Sequence, residues 1–181
     1  MYRDNSLMPK EAVRLAVVGT LLQHGQMRYA DLAAAVRHFL DRIMGPSLDL
    51  MGTSLEMLRY EGVIRAIDGM GMEDNALLEV TEAGQADFDT LMRANVRAPS
   101  TDGFNKLVIA LKLRFLHMID AESQREQVDL LVLLHEQERA RLADLKKRHA
   151  ADPGYLDAWL DHDLTQVDER IAWFSGLLSR L

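Results

Sequence analysis

From Pro9 onward the apolar positions fall at helical spacing. Leu15, Val18 and Leu22 share one face, Pro9 suits a first helical turn, and Gly25 supplies a stop. Leu32, Val36 and Phe39 mark a second helix from about Tyr29 to Leu40. Gly45-Pro46-Ser47 makes a turn, after which Ser47 is placed to cap a third helix with the stripe Leu48, Met51, Leu55 and Leu58, ended by Gly62. The period then changes. "VIRAI" and "ALLEV" are short β-prone runs around "DGMGMEDN", a polar, glycine-bearing stretch that suits a hairpin loop. Thr81 can cap the helix TEAGQADFDTLMRANV that follows. The expected order is three helices, a hairpin and a helix.

"RAPSTDG", residues 97–103, combines Pro, Ser, Thr and Gly between two periodic segments and reads as a linker. FNKLVIALKLRFLHMI beyond it is apolar around most of its circumference, so burial on several sides is expected. Ser123 and Glu126 have capping-box spacing for a second helix running to about His149, with Glu138 to Arg141 and Asp144 to Arg148 as supporting charge pairs. Asp152-Pro153 offers a cap and a first-turn proline for a third. In that last helix Leu160, Leu164, Val167, Ile171, Phe174, Leu178 and Leu181 alternate spacings of four and three, a heptad seam. Such a seam needs a partner helix, either from the same tail or from a second copy, and a mixture of both is expected because a short helical tail makes a meagre core alone. The fold class is mainly α: a winged helix-turn-helix over residues 1–98, and an all-α dimerisation domain over residues 99–181.

Composition is that of an ordered chain, 48% hydrophobic and 27% charged. The absence of cysteine removes disulfides, thiolate zinc sites and Cys nucleophiles together. No stretch reaches the roughly 18 apolar residues of a membrane span. The N-terminal segment lacks the pattern of a signal peptide, so a cytoplasmic protein with no membrane partner is expected. Net charge is −7, the wrong sign for unassisted binding to phosphate backbones, although only the field at a docking face decides that matter.

Chemistry-bearing patterns are few. Gly69-Met70-Gly71 lacks the third glycine of a phosphate loop and opens no helix. His135-Glu136 starts a zinc-hydrolase pattern that Arg139 ends, because it stands where the second His must be. Asp161-His162-Asp163 crowds ligand-type residues, yet consecutive helical positions point apart. No catalytic residue, metal site or cofactor is expected. Trp159 and Trp173 read as packing anchors, with a pocket for a small hydrophobic effector as the alternative.

The helix-helix-helix-hairpin order followed by a helical tail resembles the PadR-type winged-helix transcriptional regulators, in the branch with a long helical C-terminal domain. The resemblance spans nearly the whole chain. It rests on "LAVVGTLLQHGQMRYADL", "SLEMLRYEGVI", "LLEVTEAGQADF" and the late "RIAWFSGLLSRL". It implies a homodimer whose C-terminal helices clasp each other and whose winged helices bind double-stranded DNA at a palindromic operator, usually as a repressor. Helix three carries Gly52 where the family has an aromatic residue, and Thr53 stands in place of a Pro. The wing is acidic through Asp68, Glu73 and Asp74 where the family commonly has a basic residue.

By residue type, the expected DNA-contact set is Arg28 and Tyr29 at the start of helix two, then Ser47, Thr53, Ser54 and Met57 along helix three, with Arg59 behind them. The seam residues are the expected dimer interface. Two other readings stand beside this one: a winged-helix interaction module that has lost operator binding, and a helical ligand sensor.

Overall fold

A computed structural model describes residues 6–45, 54–97 and 102–181. The elements in chain order are α1 (Pro9–His24), β1 (Met27–Arg28), α2 (Tyr29–Met44), α3 (Ser54–Tyr60), β2 (Ile64–Asp68), β3 (Leu77–Val80), α4 (Glu82–Arg93), α5 (Gly103–Phe115), a 3-10 turn at Leu116–Met118, α6 (Ala121–His149) and α7 (Leu156–Leu178). They form two compact units. One is built from the described residues of Met1–Asn95 and Asp102–Ile119, the other from those of Val96–Thr101 and Asp120–Leu181.

The first unit is organised around α1, whose Val13, Leu15, Ala16, Val17, Val18 and Leu21 are all buried. Helices α2, α3, α4, α5 and strand β3 pack on it. Such all-round burial requires close approaches. Gly19 provides one: a Cβ there would lie 2.5 Å from the Phe115 ring of α5. Phe115 in turn meets Phe88 of α4 edge to face, centroids 6.1 Å apart. The boundary expected at residues 98/99 therefore shifts, because α5 belongs with the N-terminal unit. Its buried Leu107, Val108, Leu111 and Phe115 explain why so much of its circumference is apolar.

The sheet has the order β1-β3-β2, all antiparallel. The hairpin strands fall where the β-prone runs predict them. Pairing runs Ile64↔Val80, Arg65↔Glu79 and Ala66↔Leu78, then shifts so that Asp68 faces Leu77, leaving Ile67 as a bulge. Strand β1 was not anticipated: two residues, Met27 and Arg28, extend the hairpin by pairing with Leu78 and Leu77.

Helix α2 continues one turn past the expected Leu40, to Gly45 at φ 83°. The start of helix three, with its expected cap Ser47 and with Thr53, lies outside the described residues. Thr81 caps α4 as the sequence indicates, its Oγ1 accepting from Gly84 N at 3.1 Å. The same hydroxyl lies 2.6 Å from the Gly62 carbonyl and 3.0 Å from that of Val63. A Cβ on Gly84 would come within 2.2 Å of Val63 O, so the T-E-A-G segment seats the first turn of α4 against the entry to β2.

In the second unit α6 and α7 pack antiparallel. Arg139 Nε donates to Asp168 at 2.5 Å, Lys146 bonds Asp157 at 2.6 Å and Asp161 at 3.0 Å, and the rings of His135 and Phe174 lie 5.1 Å apart. Two helix starts differ from the sequence reading. Asp120, not Ser123, caps α6: its carboxylate accepts from Ser123 N and Ser123 Oγ, both at 2.8 Å. Helix α7 begins at Leu156 with Tyr155 as its N-cap, because Gly154 at φ 111° ends the turn that Asp152-Pro153 was expected to lead into a helix. The Asp144–Arg148 pair forms at 2.9 Å, whereas Glu138 lies on the buried face of α6 instead of the solvated one.

The seam turns inward. Leu160, Val167 and Phe174 are buried, and Leu164, Ile171, Leu178 and Leu181 are half-buried. Helix α6 of the same chain occupies it, contributing Val128, Leu131, Leu134 and His135.

Candidate nucleic-acid interface

Helix α3 and the β2–β3 hairpin adjoin one another, and a set of polar contacts fixes their relation. Arg59, the one basic residue of α3, bonds Glu56 one turn back at 2.6 Å and donates through Nη2 to the Met70 carbonyl in the hairpin loop. Asp74 shapes that loop: its carboxylate accepts from Met70 N at 2.5 Å and Gly71 N at 2.9 Å. These backbone donors, Gly71 first, hold the Asp74 carboxyl below the usual carboxylate range. Asn75 follows at φ 51°, the one non-glycine with positive φ among the described residues, a conformation Asn tolerates better than most.

Asn75 also joins the hairpin to α2. Its Oδ1 accepts from Ala30 N at 2.8 Å, and the adjacent Ala76 carbonyl accepts from Tyr29 N at 2.9 Å. Two of the otherwise unpartnered N–H groups in the first turn of α2 are thereby satisfied by the wing. Arg28, just ahead of the helix, pairs with Asp68 at 2.9 Å and reaches the Asn75 carbonyl at 3.4 Å.

The surface between α3 and the hairpin is an open hollow of about 570 Å³, lined among others by Glu56, Arg59, Tyr60, Arg65 and Met70. Both of its cations are partnered: Arg59 by Glu56, and Arg65 by Glu79 at 2.6 Å. Arg65 first, then Gln26, lower the Glu79 pKa. Around the hollow Met57, Tyr60, Met70 and Met72 are exposed, Tyr60 at 89% and Met70 at 82%. Among the described residues the face is neutral where these ion pairs lie and acidic at the exposed Glu73, where a basic one is usual for phosphate contact.

The expected contact residues divide accordingly. Met57 is exposed, and Arg59 is present as a strut to the wing. Arg28 is half-exposed and engaged with Asp68. Ser54 opens the described part of α3, while Ser47 and Thr53 lie outside the described residues. Tyr29 is not a surface residue. Its side chain is 8% exposed, and burial first, then Glu56, raises its pKa. It lies three residues before Leu32 and seven before Val36, on the apolar stripe of α2, so helical spacing alone could have placed it inside. Conversely, Tyr60, Arg65, Met70 and Asn75 belong to this face but were not singled out. Only Asn75 carried a signal, as an Asn at the end of a glycine-bearing loop.

A three-helix head bearing a β-hairpin wing beside its third helix is that of a winged-helix protein. Among the described residues no helix is long and apolar enough to cross a membrane, and no group of three or more His, Asp or Glu could hold a metal ion. The chain belongs to the AphA-like family of transcriptional regulators: the family model described as "Putative AphA-like transcriptional regulator" matches residues 2–178. The transcriptional-regulator class expected from the sequence is borne out by that match. Among solved structures the chain is similar to Bacillus subtilis PadR in complex with operator DNA, with 15% identity, 93% of this chain and 97% of that one covered, and a TM-score of 0.38. It is also similar to Bacillus subtilis PadR in complex with p-coumaric acid, with 16% identity, 97% and 98% covered, and a TM-score of 0.40. No curated protein sequence matches it.

Proposed function

We propose that this protein is a non-enzymatic, cytoplasmic regulator that binds double-stranded DNA as a homodimer at a palindromic operator and represses transcription there. Residues 1–98 would carry the DNA-binding surface, and the helical tail the dimer contact. The observation that carries this reading is the joint fixation of wing and third helix, by Arg59 to Met70 and by Asn75 to the start of α2. A helix and a wing held in fixed relation can meet a groove and its flanking phosphates together, without ordering a mobile loop on binding. Base contact would fall to Ser54 and Met57, with Ser47 and Thr53 completing the helix, and phosphate contact to Arg28 if it exchanges Asp68 for the backbone.

The neutral face predicts modest affinity. Anisotropy titration of the full chain with labelled DNA flanking its own gene, at two salt concentrations, tests the proposal. Saturable, sequence-selective binding that weakens with salt supports it; equal binding to unrelated duplexes, or none, refutes it.

The exposed Met70 and Met72 beside Glu73 favour a second reading, in which the wing docks another protein. Retention of all DNA binding after Met70→Ser and Met72→Ser would direct attention to that role.

A further inference from the structure

The second unit presents an apolar face that the seam does not use. Trp159 and Trp173 on α7 are 55% and 52% exposed, and Leu130 and Leu133 on α6 are 42% and 48% exposed. At about 100° per residue, Trp159 and Trp173 lie roughly 80° to 120° around α7 from the buried Val167, and Leu130 and Leu133 lie roughly 100° to 160° around α6 from the buried Leu131. Both offsets have the same sense, and in an antiparallel pair same-sense offsets fall on one side. The two tryptophans and two leucines therefore share one face of the α6–α7 hairpin.

The polar residues between the tryptophans say what could cover it. Gln166 lies midway between Trp159 and Trp173, with Asp163 three residues before it and Arg170 four after. All three are half-buried on this side, and among the described residues neither Asp163 nor Arg170 makes an ion pair. Reversed end for end about Gln166, the stripe complements itself: Trp159 falls opposite Trp173, and Asp163 lies within one residue, about 1.5 Å of rise, of Arg170. Gln166 meets its own copy; its Nε2 lies 2.7 Å from His162 Nε2 in the same helix, and the amide still offers an oxygen acceptor and a second N–H to such a pair. A face complementary to itself under a two-fold rotation is the requirement for an isologous dimer. The stretch from Trp159 to Leu177 spans about 27 Å.

We infer that the homodimer contact is this outer face of α6 and α7, paired antiparallel to a second copy with the two-fold axis at Gln166, and that the heptad seam is reserved for packing within each chain. This rests on the homodimer reading above and moves its interface from Leu160, Leu164, Val167 and their seam companions to Trp159, Gln166 and Trp173.

Light scattering after size exclusion, on the full chain, gives the oligomeric state. The wild type is expected to be a dimer, and Trp159→Ser with Trp173→Ser a monomer of unchanged helical circular dichroism, since both side chains are already half in solvent. Asp163→Arg alone is expected to weaken the dimer at least tenfold, and Asp163→Arg with Arg170→Asp to restore it, a rescue that a general packing role would not produce. Because the chain has no cysteine, Gln166→Cys reports the axis directly: it is expected to form a disulfide-linked dimer under mild oxidation, while Thr165→Cys is not. A wild-type dimer indifferent to the tryptophan substitutions overturns this interface and leaves the homodimer reading standing. A wild-type monomer overturns both.

Discussion

The ring of Phe115 lies where a side chain on Gly19 would have to be, 2.5 Å from an ideal Cβ at that position. The contact joins α1 to α5 at the centre of the head and explains why a chain rich in helix formers keeps a glycine inside a helix, against a propensity cost of about 1 kcal/mol. Gly19→Ala is expected to lower stability by about 1–3 kcal/mol, as overpacking does in a dense core. Urea denaturation measures it. Adding Phe115→Leu should recover part of that loss, and if the double variant is no better than the sum of the singles, the clash is not the cause.

Thr81 makes three polar contacts with one hydroxyl, capping α4 and reaching the carbonyls of Gly62 and Val63. Thr81→Val keeps the shape and removes all three. A loss of about 1–2 kcal/mol is expected, read by thermal denaturation, with faster amide exchange at Gly84 and in β2. A change below a few tenths would show that the cap contributes nothing.

Lys112 is buried in α5, where Nζ donates to the Met92 carbonyl at 2.6 Å, and burial lowers its pKa to about 7. The ordinary value is 10.5, so between those pH values the unfolded chain holds a proton that the native state does not. Stability therefore rises with pH through this window and the penalty is fully present below it. Relative to Lys112→Met, the wild type should gain stability from pH 7 to 9.5, by at most about 1.4 kcal/mol per pH unit. Parallel pH profiles for the two proteins would refute this.

Glu73 is exposed in the hairpin loop, beside Asp74, whose carboxylate shapes the turn. Glu73→Lys should leave the wing intact while adding a cation where phosphate is expected. DNA affinity should then rise, and the slope of log K against log salt should steepen by about one. An unchanged slope in the anisotropy titration would mean that the wing tip does not approach the duplex.

Much of this architecture is legible in the sequence because it rests on local rules. Periodicity marks the helices, Thr81 marks its own cap, and the β-prone runs mark the hairpin. What escaped depends on distant partners. Met27-Arg28 is too short to show alternation, and it is a strand because β3 offers it an edge. Both Asp120 and Ser123 are good caps, and which of them starts α6 depends on where the preceding 3-10 turn ends. A heptad seam announces a partner helix without saying which chain supplies it; here α6 does. At the candidate interface the sequence supplied residue types but not their engagements, so Arg28 and Arg59 read as free cations although both are tied to the wing.

The bulge at Ile67 has a bearing on the life of the protein outside any complex. Strand β2 is the outer edge of a three-stranded sheet, an open row of backbone groups that could recruit the same strand of another molecule. An extra residue there breaks the straight run of donors and acceptors and increases the local twist. The hairpin can thus project into solvent with apolar methionines at its tip and still resist growing, strand by strand, into an aggregate.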